Sequence, residues 1–305
     1  MTAPLRGTQS LVGQMGWVFA RPSLTVIEIA WRWLFGVPLL AVCWIEARQI
    51  LLALPPEAAG LATLDPQNPW VATVQLANAW ALYLPHITAV LRWLLPVAAL
   101  AWVVLSGLGR SLVLKRMDPR LRLRPLPMIA LQAAWLLALG AVCWGWFRSI
   151  HWTAATHITA AGEPDLIGYS IWVIFLSLGF FTVWALVSWA LSIAPLLMLL
   201  EERSALSALG QSFRLGREFS GKLAEINLVM GIVKLALIVV AMVLSAAPLP
   251  FGDQLGPDAL HGVWLLATVF YLVASDYFHV VRLKSFVEFW RMFRSGELSE
   301  NPLIA

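Results

Sequence analysis

The sequence predicts an all-α integral membrane protein with six transmembrane helices. Three observations carry that prediction. Hydrophobic residues make up 60% of the 305 residues and charged residues only 12%, against about half and about a quarter in soluble domains. With so few charges to solvate a surface, most of the surface must face lipid. The 17 tryptophans suit the same solvent, because Trp concentrates at membrane–water boundaries. The apolar residues also fall in long runs separated by basic or turn-rich segments, and about 20 helical residues cross a bilayer core.

Residues 1–25 form an N-terminal segment in which Leu11, Met15, Val18 and Phe19 share a helical face, as expected of a short interfacial helix. Pro22-Ser23 breaks it. No h-region with a cleavage site precedes the first apolar run, so that run is expected to be a retained anchor. Thr25 and Glu28 have capping-box spacing, which gives Glu28 the start of the first span to satisfy.

The six-helix domain covers 26–281, with spans expected at about 26–47, 87–108, 126–147, 169–200, 223–247 and 263–281. Pro38 is a kink point in the first. Residues 48–85 form a connection whose turn signals are Pro55-Pro56 and Asp65 to Pro69. Within it, residues 71–84 are apolar but too short to cross; a surface-lying helix is favoured over a re-entrant one. The fourth span exceeds one straight crossing, so it tilts, kinks near Pro195 or projects from the bilayer. Pro248-Leu249-Pro250 ends the fifth. In the tail, 282–305, Phe286, Phe289, Trp290 and Phe293 recur at helical spacing among Arg282, Lys284, Arg291 and Arg294. That pattern predicts an amphipathic helix lying at the inner interface.

Charge placement sets the orientation. One side collects Arg6, Arg21 and Arg32, the loop cations Arg110, Lys115, Arg116, Arg120, Arg122 and Arg124, then Arg203, Arg214, Arg217 and Lys222, and the tail cations. The other side keeps Arg48, Arg92 and Arg148. Both ends are therefore expected in the cytoplasm, of a bacterial cytoplasmic (inner) membrane. The same asymmetry accounts for a net charge of +4 without nucleic acid, since cations beside span ends are drawn to anionic lipid.

Lys234 stands within the fifth span, where an unpaired charge costs several kcal/mol. Asn227, Gly231 and Lys234 share a helical face; Asp276 and His279 share one on the sixth span. Lys234, Asp276, Asn227 and His279 are the candidate intramembrane polar site, either a substrate or proton site or a structural ion pair with a snorkelling Lys. His86, His151, His157 and His261 fall on the outer side without metal-ligand spacing, so no metal and no cofactor is expected. Cys43 and Cys143 are expected as buried small apolar groups. The stripe Ser177, Phe181, Trp184, Ser188 and Ser192 is expected to pack helices together. Leu39 to Trp44 echoes Leu139 to Trp144, as a duplicated hairpin or chance similarity would produce. No His-Glu-x-x-His, Gly-x-Ser-x-Gly or phosphate-binding glycine loop occurs, which argues against an enzyme.

One stretch carries a resemblance. Pro195 to Leu200, the break Glu201-Glu202, the segment Ala208-Leu209-Gly210-Gln211-Ser212-Phe213-Arg214-Leu215 and the apolar run from Leu223 resemble the membrane domain attached to some glycerophosphoryl diester phosphodiesterases. Related six-span bacterial proteins of unassigned function share the pattern. The phosphodiesterase catalytic domain has no counterpart here. The resemblance implies an all-helical membrane unit, with an interfacial helix over Ala208 to Leu215. Together these features lead to a non-catalytic membrane scaffold or anchoring partner. Its partners would be membrane lipids, including anionic lipid at the cytoplasmic face, and a protein or second copy of the chain. The alternative is a small permease or lipid-handling protein using the polar site near Lys234 and Asp276.

Overall fold

The computed structural model describes residues 7–64, 67–159, 163–214, 217–246 and 252–294; the side chains of 7–11, 217–224, 252–255, 257 and 292–294 lie outside that description. The described residues form eight helices and no strand: α1 (Gly7–Phe19), α2 (Pro22–Ala53), α3 (Pro69–Met117), α4 (Pro125–His157), α5 (Leu166–Leu200), α6 (Ala205–Ser212), α7 (Arg217–Ala246) and α8 (Gly252–Arg294). Among them α2, α3, α4, α5, α7 and α8 are long and apolar enough to cross a membrane. The chain is a multi-pass helical membrane protein.

Prolines start three of these helices. Pro22, Pro69 and Pro125 occupy first positions, where the missing N–H has no intrahelical acceptor to lose. Inside helices the prolines do not end them. Pro85 and Pro96 both lie within the 49-residue α3, about 74 Å long at 1.5 Å per residue. This corrects the expectation for residues 71–84, which form no element of their own but are the first part of α3. Proline costs one backbone hydrogen bond, and apolar helices tolerate that loss. The first span likewise starts at Pro22 rather than Val26, which leaves Glu28 in the second turn and removes its capping role.

The chain divides into two compact units, Trp31–Ser106 and Met1–Ala30 with Gly107–Ala305. In the smaller unit, Trp102 packs on Trp31 and Phe35 at centroid distances of 5.8 and 5.1 Å. The connection after α2 folds onto α3: Tyr83 Oη donates to Leu54 O at 3.0 Å and Gln75 Nε2 to Thr63 O at 3.3 Å.

In the larger unit, α4 packs along α5, α7 along α8, and α1 against α8. The predicted packing stripe is used on α5, where Ser177 Oγ accepts from Trp146 Nε1 at 2.9 Å and Trp184 meets Trp135 edge-on at 5.3 Å. Phe181 from the same stripe is 70% exposed. Where α3 meets α4 the backbones come close: a Cβ on Gly107 would lie 2.6 Å from Ile129 Cγ1 and 2.9 Å from its Cα. Only glycine fits there.

Two further expectations are corrected. The tail is not a separate surface helix, because α8 runs on through Arg294. Its aromatic face is covered by protein rather than by a membrane surface, with Phe286, Phe289 and Trp290 all buried. The side chain of Phe293 and residues 295–305 lie outside the described residues, as do Pro248-Leu249-Pro250. The helix expected in the N-terminal segment forms as α1 and packs on α8, with Val18 fully buried and Tyr277 Oη donating to Met15 O at 2.9 Å. Cys43 and Cys143 are exposed on the apolar spans rather than buried.

The break after α5 is built, not loose. Glu202 adopts a left-handed φ of 52°, a conformation that a residue with a Cβ holds only at a cost. Arg124 secures it by donating from NH1 to Glu202 O at 3.0 Å, with Glu202 Oε2 3.7 Å from NH2. Ser204 then caps α6, its Oγ accepting from Ser207 N at 3.3 Å. The helix predicted over Ala208 to Leu215 occupies Ala205–Ser212 and buries Ala208 and Ser212 against the protein; Leu215 lies outside the described residues.

Candidate functional site

The second half of α8 combines two kinds of residue. Val280, Val281, Leu283, Phe286 and Val287 form a buried apolar set, and Asp276, His279 and Lys284 are each only 5% exposed beside them. Burying charge without compensation is expensive, so each needs partners. A line of pairs along the helix supplies several of them.

The first group centres on His279. Arg282 NH2 lies 3.2 Å from its Nδ1, and Glu28 Oε1 lies 3.6 Å from its Nε2. A guanidinium has only donors, so Nδ1 must accept. The ring proton then sits on Nε2, facing the carboxylate. Glu28 is fully buried, so this group ties the first turns of α2 to the middle of α8.

The second group lies two turns on. Lys284 pairs with Glu288, and its ammonium stands 4.4 Å above the Trp17 ring of α1, within cation–π range. Arg291 pairs with Asp118 in the α3–α4 loop and lies 3.8 Å from Glu288. That loop is itself held by Lys115 Nζ, which donates to Pro119 O at 2.7 Å and Leu121 O at 2.8 Å. Charges on α8 thus fasten α1, α2 and the basic loop to one helix.

Of the four residues predicted from sequence, Asp276 and His279 are buried in this set, while Asn227 and Lys234 are half-buried on α7. The helices α7 and α8 run antiparallel, and Trp264 Nε1 donates to Ser245 O at 3.0 Å near their connection. Equal steps back along α7 and forward along α8 bring Lys234 level with Asp276 and Asn227 level with Arg282. Lys234 and Asp276 are both engaged by partners. Sequence reasoning missed Glu28, Arg282, Lys284 and Asp118 as members. The available signal was Glu28 itself, a carboxylate inside an apolar helix.

At the α4–α5 connection, His157 and Asp165 form a small staple. His157 Nδ1 is 3.2 Å from Asp165 Oδ2, Asp165 N donates to His157 O at 2.8 Å, and Asp165 Oδ1 accepts from Gly168 N at 2.8 Å. The Gly168 N–H, more than any other group, holds the Asp165 carboxyl below its ordinary range; His157 adds to that and desolvation opposes it. Among the described residues no three His, Cys, Asp or Glu side chains converge as a metal site.

Among the described residues, two grooves on the larger unit are apolar. One, of about 1110 Å³, runs between α1, the start of α2 and the middle of α8; the other, of about 420 Å³, lies between α4 and α5. Both are lined almost wholly by apolar side chains, and neither is lined by Lys234 or Asp276. The pairings of the charged cluster join α2 and the α3–α4 loop to α8. Comparison with protein-family models, curated proteins and solved structures returned no match.

Proposed function

We propose that this chain is a non-catalytic scaffold or anchoring partner in the cytoplasmic membrane of a bacterium, with both termini in the cytoplasm. The observation that carries this reading is the use of the charges at the basic end. Glu28, His279, Arg282, Lys284, Glu288, Arg291 and Asp118 pair across α2, α8 and the α3–α4 loop, and Lys284 also stands over the Trp17 ring of α1. They make a preformed platform instead of lining a path. Its exposed cations, with Arg116 and Arg120 among them, suit anionic lipid headgroups or an acidic partner surface.

A small permease or lipid-handling protein is the second reading, favoured by Lys234, which is half-buried in an apolar helix at the level of Asp276. One experiment separates the two. A strain lacking the chain and showing a growth or envelope defect is complemented with the Lys234→Met variant, and the partners crosslinked to it in cells are compared with those of the wild type. A scaffold predicts full complementation and the same partners. Loss of complementation with unchanged abundance and unchanged partners would remove the scaffold reading in favour of transport.

A further inference from the structure

We infer that the larger groove is a binding site for one acyl chain of an anionic glycerophospholipid, with Arg21 taking the phosphate. The inference is independent of the scaffold reading. The groove wall comes from Val18 and Phe19 of α1, Val26 of α2 and Phe270, Val273 and Tyr277 of α8. No charged side chain lines it, and the Tyr277 hydroxyl is already directed to Met15 O. Its interior therefore offers a ligand apolar contact almost alone.

Length points the same way. From Val263 to Tyr277, both of which line the groove, α8 rises about 21 Å. Half of a bilayer core about 30 Å thick is about 15 Å, so the groove accommodates a chain that spans one leaflet. Lipid is also the solvent this surface meets.

The polar end distinguishes the groove from ordinary lipid-facing surface. Phe19 and Pro22 both line it, and between them in the chain stands Arg21, exposed to solvent. The Arg21 guanidinium lies 4.0 Å from the Trp17 ring centroid, and NH1 donates to Trp17 O at 3.4 Å. The ring and the carbonyl fix the cation in place, and the rest of its donor fork is open to a phosphate. A fixed cation at one end of an apolar, leaflet-length groove complements a lipid with a negative headgroup.

The test is native mass spectrometry of the full chain in mild detergent, titrated with phosphatidylglycerol and, separately, phosphatidylcholine of the same acyl chains. The expected result is one phosphatidylglycerol retained per chain in preference to phosphatidylcholine. Arg21→Gln should weaken phosphatidylglycerol binding about fivefold and leave phosphatidylcholine unchanged. Val26→Trp and Val273→Trp fill the groove at exposed positions and should weaken both lipids. Equal retention of the two lipids, insensitive to all three substitutions, would mean bulk lipid contact only and overturn the proposal. So would a dimer whose groove resists lipid, because the occupant would then be a second copy of the chain. Arg21→Gln is a solvent-exposed change, so its result stands even if the tryptophan variants misfold.

Discussion

Along α5, no residue from Leu166 to Trp189 is buried, whereas nine of those from Ala190 to Leu199 are. Both halves are apolar, and hydropathy does not tell them apart. The first is exposed or half-buried, and meets α4 through residues such as Ser177 and Trp184. The second meets α6 and the covered end of the unit, where Met198, Leu197 and Ala194 are 1% exposed or less. The difference lies in what each half touches. Lipid tails are as apolar as leucine, so a lipid-facing side chain gains little from one neighbour over another. A close-packed interior loses contacts outright when an atom is removed.

The largest expected effect comes from breaking that contrast within a single helix. Leu197→Ala should destabilise the protein by about 2–5 kcal/mol, the cost of a buried leucine with its cavity. Leu178→Ala, at a position 61% exposed on the same helix, should cost under about 1 kcal/mol because lipid or detergent fills the gap. Reversible unfolding in mixed micelles measures both. Similar costs at the two sites would mean that the two halves of α5 are packed alike.

The next effect sharpens what the covered end is for. Removing either Glu28 or His279 (Glu28→Gln, His279→Leu) should cost about 1–3 kcal/mol, because a buried polar group loses a partner. The double variant should cost less than the sum, by about 0.5 kcal/mol or more. Strict additivity in the cycle would show that the 3.6 Å approach of the two side chains carries no energy.

These sites also show what could be read before the structure. Six apolar runs, their order and the polar set on the sixth were legible, because hydropathy and charge are local properties of the chain. Helix ends were less so. Pro85 and the step from Val281 into the cationic tail looked like boundaries, yet α3 and α8 run through both. Apolar helices tolerate an internal proline, and tail cations that find partners such as Asp118 and Glu288 do not need water. The partners of His279 were not legible at all. Glu28 precedes it by most of the chain, and its spacing from Thr25 imitates a cap that a helix starting at Pro22 does not need. Whether an aromatic stripe faces lipid or protein was equally hidden, as Phe286 and Phe181 illustrate: one is 3% exposed and the other 70%.

The smallest effect belongs to the opposite end of α5, where order depends on a cap instead of a core. Asp165 Oδ1 accepts from Gly168 N while Oδ2 faces His157. A Cβ at Gly168 would press on the Asp165 carboxyl and the His157 ring, so a larger residue there would displace the cap. The carboxyl titrates below its ordinary range, chiefly because the Gly168 N–H favours its charged form. A group whose folded-state pKa is depressed contributes stability above its unfolded pKa, and loses it as pH falls through the folded value. Asp165→Asn keeps the shape and removes the charge. It should lower thermal stability slightly at neutral pH, and the gap from wild type should close as the pH drops below about 3.9. Paired melts across that window check it. A gap that persists at acid pH would assign the cap to geometry alone, and the N-terminal end of α5 would then owe nothing to charge.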